Sequence, residues 1–153
     1  MNTAPLAETL SAWAAAWESC APARVLALWD RSDGQCWYLP ADSVEAHVGS
    51  AVVGVIQRRC VGLQSARYKP AHVQLRLLSA DVGLAFFQLE WVRAYAQAST
   101  TGGHVRVTML MRKVENVWRV FHYAEAPLAP LLELQGFYER VAAEGFGTMP
   151  VRP

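Results

Sequence analysis

No apolar run in this sequence approaches the roughly 18–20 residues that a bilayer crossing requires, and no charge of either sign dominates. Against 14 Lys and Arg stand 13 Asp and Glu, a net charge of +1. That balance removes the electrostatic motive for a nucleic-acid or anionic-membrane partner. Cysteine is scarce. Cys20, Cys36 and Cys60 cannot all pair within one chain, and they form neither a CxxC nor a zinc spacing. They read as thiols of a reducing cytoplasm. His47, His72, His104 and His122 share no ligand spacing, so no metal is expected. "GSAVVG" is neither a phosphate loop nor a nucleophile elbow, no dinucleotide fingerprint occurs, and no cofactor is implied. The opening "MNTAPLAETLSAWAAAWE" lacks a positive leader and carries Glu8 and Glu18 in its apolar stretch, which argues against a signal peptide. A cytoplasmic location is the expectation.

What is abundant is apolar residue, 53% over 153 positions, enough for one domain with a substantial core. Leu6, Leu10, Trp13 and Trp17 fall on one face of a first helix ending near Cys20. Pro22 suits the first turn of a shorter helix that packs Val25, Leu26 and Trp29 inward. "DRSDG" is a turn and "QCWYLP" a short strand closed by Pro40. "DSVE" has the spacing of a capped turn. Ser50 is a candidate cap for a third helix with Val52, Ile56, Cys60 and Leu63 on one face. After "YKP" the pattern changes to strands, expected at 71–79, 83–97, 104–114 and 117–126. The connections "SADVG", "ASTTGGH" and "VENV" make these consecutive antiparallel hairpins. Leu131, Leu134, Tyr138 and Val141 stripe a C-terminal helix stopped by Gly145 and Gly147.

Helices followed by antiparallel strands is an α+β layout. In the last hairpin Val105, Val107, Met109 and Met111 share one side, with Thr108 and Leu110 among arginines on the other. A second, partly apolar face commonly meets another subunit, so a homodimer through the outer sheet face is expected, unless the C-terminal helix covers that flank. Arg58-Arg59 with Arg67 and Lys69 is the only basic concentration and reads as a solvated face.

"LALWD…CWYLP", the small "VGSAVV" entry to the third helix and "RVTMLMRKVENVWRVFHYAEAP" resemble the nuclear-transport-factor-2-like superfamily over residues 8–127. That superfamily comprises cone-shaped, cystatin-like α+β folds including ketosteroid isomerase, polyketide cyclases, dehydratases and the association domain of calmodulin-dependent kinase. The resemblance implies N-terminal helices on a curved, mixed, largely antiparallel sheet, with residues 128–145 as a helical extension that caps the cone or crosses to a partner. It does not imply an activity. Ketosteroid isomerases place their base before a proline on the first strand, where this chain has Leu39-Pro40. Their oxyanion donors fall at Trp13 and Met109. Leucine takes no proton and methionine donates none to an oxyanion, so that chemistry is absent.

In "VWRVFHYAEAP", His122, Tyr123 and Glu125 are close in sequence, yet alternation puts His122 on the opposite face from the other two. The family register turns Phe121, Tyr123 and Glu125 into the cone and Val120, His122 and Ala124 outward. A bulge would invert this. The same logic turns Phe86, Gln88, Glu90 and Val92 inward on the preceding strand. Glu90 and Glu125 suggest an acid–base dyad, but hairpin pairing separates them by about five residues, roughly 16 Å at ~3.3 Å per residue. The expected pocket is built from Trp13, Trp37, Phe86, Met109, Met111 and Phe121 with Gln88 and Tyr123, and the same residues would equally serve as a filled core. Three functions remain open. They are binding of a small, largely apolar or aromatic ligand, a cofactor-free cyclase, dehydratase or isomerase using Tyr123 with Glu90 or Glu125, and a structural association domain.

Overall fold

Alanine-rich sequence makes the first helix, α1 (Ala4–Glu18), and its apolar spacing decides where the helix lies. Pro5 sits in the first turn, where its missing N–H costs little, and the Asn2 side chain accepts the Ala4 N–H at 2.9 Å. Leu6, Leu10, Trp13 and Trp17 are all buried, as their spacing predicts. The chain then turns at Cys20, in the left-handed region at φ 55°, and Pro22 opens α2 (Pro22–Ala27). This computed structural model describes residues 2–32, 34–128 and 131–144.

Six strands form one sheet: β1 (Trp37–Leu39), β2 (His47–Val48), β3 (Leu63–Leu77), β4 (Val82–Tyr95), β5 (Ala98–Val114) and β6 (Val117–Pro127), in the order β2-β1-β6-β5-β4-β3. Only β1 against β6 is parallel, so the sheet is mixed and largely antiparallel, as expected. The helix α3 (Ser50–Cys60) buries Val52, Val55, Ile56 and Cys60. Ser50 is its first residue and makes no cap; Gly49 precedes it at φ 58°, where a Cβ would stand 2.6 Å from the Gly34 carbonyl oxygen. Leu63, expected on that helix, opens β3 instead. The C-terminal helix is α4 (Leu131–Glu144). The expected stop at Gly145 and Gly147 lies outside the described residues.

Pairing moves several expected boundaries. β3 begins before Pro70 because it is an edge strand, where proline's missing donor removes no ladder bond on the open side. "ASTTGGH" is strand and not loop: Gly102 and Gly103 pair with Val92 and Trp91, and the turn is Ala96-Gln97. The "VENV" turn is borne out, with Glu115 and Asn116 both at positive φ (50° and 64°), as a tight hairpin turn demands.

The core lies between α1 and the sheet. Trp13, Phe87, Met109, Met111 and Tyr123 are at most 2% exposed. Each such side chain contributes about 1.5–3 kcal/mol by burial, against at most about 1 kcal/mol for an exposed ion pair such as Lys69–Glu90. Apolar packing therefore holds the fold. At Gly83 a Cβ would lie 2.5 Å from the Leu6 side chain, so α1 approaches the sheet as closely as glycine permits.

Candidate functional site

Two facing expectations fail, for different reasons. On β4 the inward residues are Ala85, Phe87 and Leu89, all buried, while Phe86, Gln88, Glu90 and Val92 are exposed on the outer face. The local signal was present, because Phe87 and Leu89 alternate with Gln88 and Glu90 and burial favours the apolar pair. On β6 a bulge intervenes. Leu110 pairs with His122 but Met111 with Val120, leaving Phe121 as the extra residue. Val120 is therefore buried at 0% exposure and not outward, and Phe121 is half-buried with the Arg112 guanidinium 5.1 Å from its ring. From residue 122 onward alternation holds: Tyr123 faces inward and its neighbour His122 does not share its side. β1 follows this register, with Tyr38 opposite Tyr123, so Tyr38 is buried and Trp37 is 44% exposed beside His122.

The expected pocket residues therefore divide. Trp13, Met109, Met111 and Tyr123 are packed in the core, with Trp13 stacked on Tyr123 at 5.1 Å between centroids. Trp37, Phe86 and Gln88 belong to the outer face. Glu90 and Glu125 share no proton, since Glu90 is exposed on the outer face and pairs with Lys69 at 3.9 Å. Glu125 accepts the Tyr123 hydroxyl at 2.9 Å and the Ala41 N–H at 2.9 Å. Burial, with Glu125 beside it, raises the Tyr123 pKa well above the ordinary phenol value. Burial likewise raises Tyr38 far above that value.

An open cavity of about 530 Å³ lies at the other end of β4, where Trp91, Arg93 and Tyr95 meet Val55, Arg58 and Arg59 of α3, with Asp42 and Thr101 at the rim. Its walls follow from local sequence. Past Leu89 the inward positions of β4 are Trp91 and Arg93, at the end of α1 marked by Trp17. Gly103 lets the Trp91 ring lie across β5, where a Cβ would stand 3.4 Å from the indole. Arg59 donates to Asp42 and lies 5.8 Å from the Tyr38 ring, while its Nε is buried without a partner among the described residues. Arg93 is 7% exposed and donates through Nε to the Tyr68 hydroxyl at 2.5 Å. Its guanidinium lies 4.6 Å from the Trp91 ring, 5.4 Å from Tyr68 and 5.7 Å from Trp17. Burial works against the Arg93 charge, but Tyr68 and Tyr38 outweigh it and its pKa stands above the ordinary value. Burial pushes Tyr68 up to about 12 despite Arg93.

This mouth was not among the expected site residues. Arg58-Arg59, read as a solvated face, forms one of its walls, and Arg93 carries no flag in the sequence beyond an inward register. No group of His, Cys, Asp or Glu among the described residues could hold a metal ion. No helix among them is long and apolar enough to cross a membrane.

Residues 6–130 match the family model described as SnoaL-like domain. No curated protein matches the chain by sequence. Among solved structures, a protein with a cystatin-like fold from Caulobacter vibrioides is similar at TM-score 0.70 and 17% identity, covering 91% of this chain and 98% of that one. A nuclear-transport-factor-2-like superfamily protein from Salmonella enterica is similar at 0.72 and 13%, covering 84% and 92%. A ketosteroid isomerase-like protein from Erwinia carotovora is similar at 0.66 and 19%, covering 84% and 97%. At such identities the likeness concerns the fold alone. Of the positions expected to correspond to the isomerase residues, Trp13 and Met109 are packed in the core and Leu39 is half-buried.

Proposed function

The chain belongs to the SnoaL-like domain family of the nuclear-transport-factor-2-like superfamily, and we propose that it binds a small molecule at the mouth between α3 and the far end of β4. The observation that carries this is the cavity of about 530 Å³, within the 300–1,000 Å³ typical of small-ligand sites, with aromatic walls and a few placed polar groups. It replaces the apolar pocket expected around Trp37 and Phe86. Thermal-shift screening of small aromatic compounds tests it. Hits are expected with the wild-type chain and should vanish when Thr101→Trp fills the rim; hits that persist in that variant would place the ligand elsewhere.

A catalytic reading of the cyclase or dehydratase kind is favoured by one contact. The Tyr123 hydroxyl bonded to Glu125 puts a proton donor and a carboxylate inside the cone. It predicts that Glu125→Gln abolishes any turnover by the chain while leaving binding at the mouth, which neither residue lines, intact.

For assembly we propose a homodimer through the outer sheet face. Trp37 and Phe86 are 44% and 41% exposed there, beside half-buried Leu110 and His122, on the side away from α1. Analytical ultracentrifugation of the wild type and of Phe86→Lys decides this: the wild type should sediment as a dimer and the variant as a monomer.

A further inference from the structure

The mouth holds more positive charge than it balances. Three of its lining residues are arginines and one is an aspartate, and that aspartate, Asp42, is paired with Arg59. The ion pairs of the described residues join Arg59 to Asp42, Lys69 to Glu90 and Arg112 to Asp30; none includes Arg93. Yet Arg93 is only 7% exposed. Its one hydrogen bond goes through Nε to a neutral phenol, so both terminal nitrogens remain without an acceptor at the cavity wall. Glu125, the half-buried carboxylate of β6, is occupied by Tyr123 and the Ala41 N–H. Those terminal N–H groups reach only the open mouth, so they are free to donate to an anionic acceptor that enters it.

We infer that the missing acceptor comes with the ligand, and that the mouth takes a small organic carboxylate seated on Arg93. This deepens the binding reading above and rests on it. The geometry suits the chemistry. One face of the guanidinium is covered by Trp91 at 4.6 Å, and Tyr68 holds its Nε edge. The remaining in-plane N–H groups form the fork that a carboxylate matches with two parallel bonds. Arg59, whose charge is partly met by Asp42, adds attraction at the rim. Val55, Trp91 and Tyr95 give the organic body an apolar and aromatic surface. Tyr68 is a positioning residue, since it touches the cation rather than the ligand.

Isothermal titration of the full chain with naphthoate, its neutral isostere naphthamide, and inorganic phosphate tests the inference. Naphthoate should bind the wild type at least about tenfold tighter than naphthamide, the size expected of a charge-assisted bidentate contact, and phosphate should bind far more weakly than naphthoate. The acid preference should disappear in Arg93→Met and shrink in Arg93→Lys, which keeps the charge but not the fork; circular dichroism checks that both fold. The wild-type comparison needs no variant and stands if Arg93→Met does not fold. Acid and amide binding equally, with both lost in Thr101→Trp, would leave the mouth as a ligand site and overturn the carboxylate assignment. Phosphate binding as tightly as naphthoate would overturn the organic class. An acid preference surviving in Arg93→Met would remove Arg93 from the role. Binding of none of the three probes would sink the carboxylate inference, while hits in the aromatic screen that Thr101→Trp abolishes would keep the binding reading standing.

Discussion

Within a few residues of β4 the inward side chains change character. Ala85, Phe87 and Leu89 are fully buried, with Phe87 against Trp13 of α1, whereas Trp91 and Arg93 face an open mouth. The strand, its pleat and its inward side are the same. What differs is the cover: α1 lies over the first set and ends at the second. Buried charge differs likewise. At the opposite end of β5, Asp30 is 2% exposed and fully engaged, accepting from Arg112, from the Ser32 hydroxyl at 2.7 Å and from the Ser32 N–H at 3.0 Å. Arg93 has no such carboxylate. A closed charge serves the fold, and an open one is available to something outside it.

The strongest way to break this comparison is at the packed end. Trp13→Ala should cost about 3–5 kcal/mol of stability, because it empties a site stacked on Tyr123 and edge-on to Tyr68 and Phe87; chemical denaturation measures it. Next, Asp30→Asn should cost about 2 kcal/mol, discounted for the partial exposure of Arg112. Burial alone would raise the Asp30 pKa, but the Ser32 and Arg112 donors outweigh it and hold it below 3.8. The stabilisation it contributes is therefore present above pH 3.8 and is lost as pH falls below that value through the lowered folded pKa. The variant should flatten the acid limb of a stability–pH curve. Tyr123→Phe should cost about 1 kcal/mol, leaving one Glu125 oxygen without its donor. Smallest of all, Arg93→Met should change stability by less than about 1 kcal/mol in either direction, since an apolar chain of similar length replaces an unpaired cation among Trp17, Tyr68 and Trp91. A loss as large as that of Trp13→Ala would erase the distinction between the two ends.

Much of the fold was legible because it rests on local signals. The α1 stripe, the short β1, the inward set Val105, Val107, Met109 and Met111, and the turn at Glu115-Asn116 all follow from spacing and turn chemistry. What escaped depends on one-residue decisions between distant strands. The bulge at Phe121 sets Val120 and Tyr123 on the same side, and no residue there announces it. Trp37 was expected inward, but either ring of the pair fits a core, and parallel pairing with β6 puts Tyr38 there. Arg93 hid behind the rule that arginines face water, which fails where aromatic rings cover the cation and a cavity leaves its tip open.

Gly103 bears on ligand choice. The Trp91 indole rests on backbone at Gly103, where an alanine methyl would just touch it at 3.4 Å and a bulkier side chain would tip it toward the cavity. The bore of the mouth is thus gauged from behind, by one position set beneath the ring rather than around the opening. Divergent relatives could narrow or widen their ligand range there while leaving every contacting residue unchanged.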